Sequence, residues 1–183
     1  MNEIPPQNLS PSWPSSLDTR TPLPRAADEW ETLTAFLDWH RATFELKCAE
    51  LGPEQLAEKS VAPSGLSLHG MVRHLAGAER WWFSLQFAGQ DVPHLYYSDE
   101  DPEQDFVFTT ADVTHDFAVW RAECERSRAI VSAAASLDTL ATAPMTGEPI
   151  SLRRILVSMI AEYARHNGHA DLLRERLDGA TGY

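Results

Sequence analysis

The chain has 183 residues, of which 43% are hydrophobic and 23% charged, and its formal net charge is −12 at pH 7. This length suits one domain with a sizeable core, and the composition is ordinary for a soluble globular protein. So acidic a surface repels phosphate backbones and anionic headgroups, which argues against a nucleic-acid or membrane partner. No segment reaches the ~18 consecutive apolar residues of a membrane span. We therefore expect a cytoplasmic protein.

The N-terminal residues 1–25 are rich in proline, a residue that lacks a backbone N–H and interrupts both helices and central strands. The prolines stand at Pro5, Pro6, Pro11, Pro14, Pro22 and Pro24. The composition predicts an irregular arm. Residues 26–183 are predicted to form one domain.

The first two long helices are predicted from apolar residues that recur at three- and four-residue steps. One is expected over residues 28–50, and a short helical turn follows at 54–56. Ser67 is a suitable N-cap for the second long helix, which the pattern carries to about residue 88.

A long connection over residues 89–113 separates the second and third helices. It frees the third helix from having to lie antiparallel beside the second. The acidic run at 99–105 within it is expected to be a solvated loop. The third helix is predicted over about 115–135, with Thr114 as its cap.

The fourth helix is predicted over 151–177 and ends at Gly179. No convincing alternating strand pattern occurs. Four amphipathic helices of this length are most simply buried as an all-α four-helix bundle. Cys48 and Cys124 form no CxxC motif and are expected to be buried thiols, with a single disulfide as the alternative.

The fourth helix carries a pair of metal-ligand side chains, Glu162 and His166. Residues four apart on a helix share one face, with Cβ atoms about 5–6 Å apart, so both can reach one ion. A surface ion pair is the alternative interpretation. His74, beside the apolar stripe of the second helix, is the candidate third ligand, although alone it would indicate a core histidine.

The remaining histidines receive weaker predictions. His40 falls on the inward stripe of the first helix and is expected to pack or to line a pocket, with a role as a supporting or substitute metal ligand as the alternative. His69 lies in the first turn of the second helix and is expected to be solvated. His169 lies one turn beyond His166, and its spacing leaves a pocket and a surface position open.

Two motifs together resemble the DinB/YfiT-like metalloenzyme superfamily over residues 25–178. They are SLHGMVRHLAGAERWWF at 67–83 and EYARHNGHAD at 162–171. The resemblance implies a four-helix bundle in which three side chains hold a divalent metal, usually zinc or nickel. Carried over by position, the ligands fall on His74, Glu162 and His166. His169 would then support these ligands or replace one of them.

The chain departs from the commonest pattern of that superfamily at Glu162, where many members have a third histidine. It matches instead the His-Glu-His set of the related mycothiol-dependent maleylpyruvate isomerases. Those isomerases carry an additional C-terminal domain that helps to form the active site, and this sequence ends soon after the fourth helix. We therefore expect the metal set and the thiol chemistry to carry over, but not the isomerase reaction.

The resemblance favours a divalent-metal-dependent enzyme, with mycothiol as a co-substrate of an S-transferase that acts on small electrophiles. The alternatives are a metal-dependent hydrolase and a non-catalytic bundle that the metal stabilises, such as a stress-response binding protein. A small-molecule substrate is expected, and a homodimer is compatible with this class of bundle. No catalytic residue beyond the metal ligands is assigned.

Overall fold

The computed structural model describes residue 18 and residues 20–98, 104–145 and 147–182. Most of the predicted N-terminal arm, and residues 99–103 of the acidic run, lie outside these ranges. Within the described part the secondary structure is helical, apart from one isolated β-bridge between Leu140 and Ser151. The prediction of an all-α bundle is confirmed.

Helix α1 spans Glu29–Cys48 and begins at Asp28, whose carboxylate accepts a hydrogen bond from the Glu31 amide at 2.8 Å. A short helix, α2, follows at Pro53–Ala57. Helix α3 spans Leu68–Glu79, and the Ser67 hydroxyl caps it as predicted. Each cap satisfies an amide of the first turn that has no partner within the helix.

The second predicted helix changes character at Arg80. From there to Phe87 it continues as a π-helix, in which hydrogen bonds reach back five residues. The apolar repeat of the sequence predicts the continuation correctly, but it does not distinguish the wider turn from an α-helix. Such segments occur frequently at functional sites.

Helix α4 spans Val113–Ala133, so the prediction of Thr114 as its cap is wrong. The chain enters α4 through a 3₁₀ turn, where the Asp112 carboxylate accepts the Thr109 amide at 3.0 Å. Because this turn leads directly into the helix, α4 begins earlier than the periodicity indicates.

Helix α5 spans Leu152–Asp178 and has both predicted ends. The Ser151 hydroxyl accepts the Arg154 amide at 3.3 Å. Gly179, with φ 78°, closes the helix in the left-handed conformation that glycine adopts without strain.

Pairs of charged and histidine side chains between the helices show the relative directions of the helices. Helices α1 and α5 run parallel, α3 and α4 run parallel to each other, and α4 runs antiparallel to α1, so α3 is antiparallel to α5. The pairs are Glu29–Arg153 and Lys47–Asp171, His69–Asp116 and Arg80–Glu123, and Asp38–Arg128 and Glu45–Arg121. The long connection thus serves the role expected of it, since two parallel neighbours cannot be joined by a short turn.

The core lies where the four long helices meet. Its largest fully buried apolar side chains include Phe44, Phe83, Leu75, Ile155 and Trp120. Both cysteines are buried and free, which settles the choice between thiols and a disulfide. None of the helices in the described ranges combines the length and apolarity that crossing a membrane requires.

Candidate metal centre

Three potential ligand atoms, from His74, Glu162 and His166, lie within 4.8 Å of one another. His74 Nε2 is 3.1 Å from Glu162 Oε1, and His166 Nε2 is 3.0 Å from the same oxygen. Helix α3 supplies His74, while one turn of α5 presents the other two. The structure therefore brings the three predicted ligands together, and their binding of a metal stays a prediction.

The donor set suits a divalent ion. Bonds of about 2.0–2.1 Å in a tetrahedral zinc site place its ligand atoms about 3.4 Å apart, close to the two distances from Glu162 Oε1 to the histidine nitrogens. Two imidazoles and one carboxylate leave the fourth position open. Nδ1 of His166 is buried and has no hydrogen-bond partner among the described residues. No hydrogen bond at Nδ1 therefore holds the ring against binding an ion through Nε2.

His74 is oriented from behind by Asp105, whose Oδ2 lies 3.1 Å from His74 Nδ1. This contact leaves Nε2 as the nitrogen that faces Glu162. A carboxylate behind a histidine is the usual way in which proteins fix the ring of a metal ligand. Asp105 is only 4% exposed, so its assignment to a solvated loop is wrong. The one signal in the sequence is the apolar triplet at 106–108 that follows it.

The segment at 104–107, which carries Asp105, is held by the guanidinium of Arg73. Arg73 Nε donates to the Asp105 carbonyl at 2.8 Å, and Nη2 donates to the Val107 carbonyl at 3.3 Å. Its Nη1 donates to Asp116 at 3.0 Å, so the other edge of the guanidinium is also held. Because Arg73 directly precedes His74, the same turn of α3 carries the candidate ligand, His74, and the guanidinium that holds Asp105 behind it.

Close contact between aromatic rings and glycines brings this connection against α3. A Cβ on Gly70 would lie 2.4 Å from the ring of Phe106, and one on Gly77 would lie 3.2 Å from the ring of Tyr97. Only a residue without a side chain allows the first approach. The connection therefore packs directly on the helix that carries His74.

Asp116 and its partners form a second buried group that the sequence did not reveal. His69 Nε2 lies 2.7 Å from Asp116 Oδ2, and the Tyr96 hydroxyl donates to Asp116 Oδ1 at 2.7 Å. The prediction that His69 is solvated is wrong, because its side chain is fully buried and Phe108 lies over it with ring centres 4.1 Å apart. Burial lowers the pKa of His69, despite the hydrogen bond to Asp116.

The electrostatics of the three-residue cluster favour a cation. Burial opposes a charge on His74, but the hydrogen bonds to Asp105 and Glu162 prevail and raise its pKa to about 9. Hydrogen bonds from His166, and then from His74, hold the pKa of Glu162 well below its usual range. A proton on His74 thus occupies, at neutral pH, the place where a metal ion would sit.

His169 and His40 lie near the cluster but outside it. The ring of His169 is half-buried and meets the ring of His166 edge-on, with centres 5.4 Å apart. His40 Nδ1 lies 3.3 Å from the side-chain nitrogen of Asn167, the neighbour of His166. His40 therefore packs against α5, and the roles of His40 and His169 at the cluster stay predictions.

A cleft of about 1050 Å³ opens onto His74 and Glu162. The side chains and backbone that line it come from α3, the π-helix, α5 and the two flanking connections. The lining residues are Lys59, Gly65, Leu66, His74, Ala78, Trp81, Trp82, Tyr97, Asp105, Phe106, Val107 and Glu162. Trp81 and Trp82, adjacent residues of the π-helix, both line this cleft.

Comparison with known proteins places the chain in a family. The sequence profile described as mycothiol-S-transferase matches residues 32–179. The chain belongs to the mycothiol-S-transferase family. The resemblance to DinB-like proteins seen in the sequence is thereby confirmed, and the match to this family includes both motifs.

The solved structure of another protein has the same fold as this chain. The crystal structure of a conserved protein from Enterococcus faecalis superposes with a TM-score of 0.63 at 18% sequence identity. The alignment covers 84% of this chain and 99% of that one. At this identity the likeness establishes the fold alone. No curated protein matches the sequence.

Proposed function

We propose that this chain is a divalent-metal-dependent S-transferase that joins a low-molecular-weight thiol of the mycothiol type to a small electrophile. The observation that carries the proposal is the convergence of His74, Glu162 and His166 at the wall of a large cleft. Membership of the mycothiol-S-transferase family supports the choice of a thiol as the nucleophile.

A zinc or nickel ion bound by these three side chains would lower the pKa of a thiol at its open position, making the sulfur nucleophilic at neutral pH. Glu162 supplies one negative charge to the site, and its depressed pKa makes it a poor proton acceptor, so the thiol proton would pass to solvent. In the reaction that we propose, the sulfur would form a bond to the electrophilic carbon while the bond from that carbon to the leaving group breaks, and the leaving group would depart with the bonding electron pair.

The surrounding residues keep the ligands in place. Asp105 holds the Nδ1 edge of His74, so that the Nε2 edge stays directed at Glu162. The Arg165 guanidinium donates to the outer oxygen of Glu162 at 2.8 Å and leaves the inner oxygen to face the two histidines. Both contacts reduce the reorganisation that binding an ion would need.

The size of the cleft suits two reactants. Pockets that bind a single drug-sized ligand measure about 300–1,000 Å³. The cleft of about 1050 Å³ therefore has room for a thiol and an electrophile beside the same three side chains.

The test is adduct formation from mycothiol and 1-chloro-2,4-dinitrobenzene by zinc-loaded protein, with glutathione as a comparison thiol. We expect a rate well above the uncatalysed reaction for the wild type and loss of that excess in His74→Ala. His115→Ala is the matched control, because His115 is exposed and lies on α4 away from the cluster. A loaded wild type that adds nothing to the uncatalysed rate would contradict the proposal.

A further inference from the structure

The cleft extends to both sides of the candidate metal ligands. Leu66 lies just before α3, His74 lies in its middle, and Trp82 lies in the π-helix that continues it, and all three line the cleft. Leu66 and Trp82 each stand eight residues from His74, one before it and one after it. The cleft therefore has two arms, which meet at the ligand cluster.

The arms differ in chemistry. The arm beyond Ala78 is lined by Trp81, Trp82 and Tyr97, which carry no charge, and we call it the aromatic arm. The arm at the start of α3 is lined by Lys59 and its neighbours Gly65 and Leu66, and we call it the lysine arm.

The chain around Lys59 is fixed at this end of the cleft. The Ser60 hydroxyl donates to the Leu173 carbonyl at 3.1 Å, which attaches the segment to α5. Because α3 and α5 are antiparallel, the C-terminal part of α5 lies beside the N-terminal end of α3. The segment that carries Lys59 therefore lies on the opposite side of His74 from Trp82.

The lysine of the lysine arm has no partner among the described residues. Asp105 and Glu162 are the carboxylates of the lining, but both face His74. Lys59 forms no ion pair with any residue that the structure describes. In a chain with a formal net charge of −12, a lysine that faces a cleft without a carboxylate partner favours an anionic ligand.

We propose that the lysine arm is the electrophile subsite and that Lys59 selects an electrophile bearing a carboxylate or similar anionic group. The aromatic arm, whose lining side chains Trp81, Trp82 and Tyr97 carry no charge, then receives the uncharged body of the thiol. This assignment rests on the proposed function. Lys59 acts as a specificity residue and takes no part in the bond that forms.

Binding is tested first, with 4-nitrobenzoate and 4-nitrobenzamide, which have the same shape and differ in charge. The proteins are zinc-loaded wild type, Lys59→Met and Lys59→Arg, with affinity measured by calorimetry at low salt. We expect Lys59→Met to bind the benzoate about fivefold more weakly, the upper range for an ion pair at an exposed side chain. Lys59→Arg should retain binding, and the benzamide should bind all three proteins equally.

The comparison among variants separates the lysine from the ion, because a carboxylate could also bind the metal directly in all three proteins. Salt gives an independent check, since screening at high ionic strength should reduce the difference between wild type and Lys59→Met. Lys59 is exposed, so its replacement leaves the fold intact. Equal benzoate affinities in wild type and Lys59→Met at low salt would overturn the inference.

Turnover is tested next, with mycothiol and two electrophiles, neutral 1-chloro-2,4-dinitrobenzene and anionic 4-chloro-3-nitrobenzoate. We expect Lys59→Met to raise KM about fivefold for the anionic compound, the same ion-pair loss, with kcat unchanged and no effect on the neutral one. If both compounds react and Lys59→Met affects neither, the inference fails and the proposed function stands. If neither reacts with the wild type, the proposed function fails, and the benzoate affinities alone decide whether Lys59 forms an anion subsite.

Discussion

Two carboxylates on the helices that form the cleft, Glu79 and the half-buried Glu162, have different surroundings. Glu79, at the end of α3, is fully buried and is held by the guanidinium of Arg41, with N–O distances of 2.8 and 2.6 Å. The Tyr163 hydroxyl donates to it at 2.8 Å. Glu79 thus has a permanent cation and a full set of hydrogen bonds inside the core.

Glu162 is adjacent to Tyr163 in the sequence, but its side chain lines the cleft. Its inner oxygen meets the rings of His74 and His166, which carry a fixed charge only when protonated, and the cleft lies beside it. Both carboxylates contact an arginine, but Arg41 holds Glu79 inside the core, whereas Arg165 holds the outer oxygen of Glu162 at the surface and leaves its inner oxygen to the imidazoles. Successive residues of α5 therefore serve a structural cluster and a candidate functional one.

Replacing Arg41, the permanent cation beside Glu79, should have the largest effect on stability. Arg41→Met leaves Glu79 charged and unpaired in the core, and we expect it to lower the free energy of unfolding by about 3–5 kcal/mol. Urea denaturation of the metal-free protein measures this change. Glu162→Gln is the matched variant on the functional side and should change the same quantity by less than about 1 kcal/mol, because that site is partly solvated. Equal losses would remove the distinction between the clusters.

Asp105→Asn should weaken metal binding without abolishing it. The amide no longer supplies a negative charge behind His74, and losing such a partner typically costs about 10–100-fold in metal affinity. Competition with a chromophoric zinc chelator measures the affinity. Asp91→Asn, a change of the same kind at an exposed position, is the control. An unchanged affinity in Asp105→Asn would mean that this carboxylate does not support the ligand.

The affinity for zinc should rise with pH. Since the pKa of His74 is about 9 in the metal-free protein, an ion must displace its proton at neutral pH. The apparent affinity is therefore expected to increase roughly tenfold per pH unit above pH ~7 and to level off as the pH passes that pKa. Chelator competition at several pH values checks this, and a flat profile below pH ~8.5 would contradict the protonated state of His74.

Arg73→Lys should have the smallest effect. Lysine keeps a positive charge near Asp116, but it cannot reproduce the fork that holds the carbonyls of Asp105 and Val107. We expect a zinc affinity only a few-fold weaker, and no further loss when Arg73→Lys is added to Asp105→Asn, because both act through the same residue. Additive losses in the double variant would show that Arg73 acts by another route.

The parts of the structure that depend on local pattern were predictable from the sequence. The helices, the cap at Ser67 and the stop at Gly179 follow from periodicity and capping chemistry. Glu162 and His166 share a face because their spacing on one helix requires it. That His74 meets them was suggested by its place beside an apolar stripe and by the family resemblance.

The parts that depend on distant contacts were not predictable. Asp105 belongs to an acidic run whose composition indicates solvent, and only its packing against α3 makes it a partner of His74. His69 is buried for the same reason, because Phe108 covers it. The π-helix was missed since its apolar repeat resembles that of an α-helix over so short a stretch. The contacts of Asp105 and His69 both arise where the connection between the second and third long helices meets α3.

Metal content tests the central proposal most directly. Protein produced without an affinity tag, and never exposed to a nickel column or a chelator, is analysed by elemental mass spectrometry. The comparison is with the triple variant His74→Ala, Glu162→Ala, His166→Ala. We predict one zinc or nickel ion per chain in the wild type and none in the variant. A metal-free wild type, or equal metal in both proteins, would contradict the assignment of these residues as a metal centre.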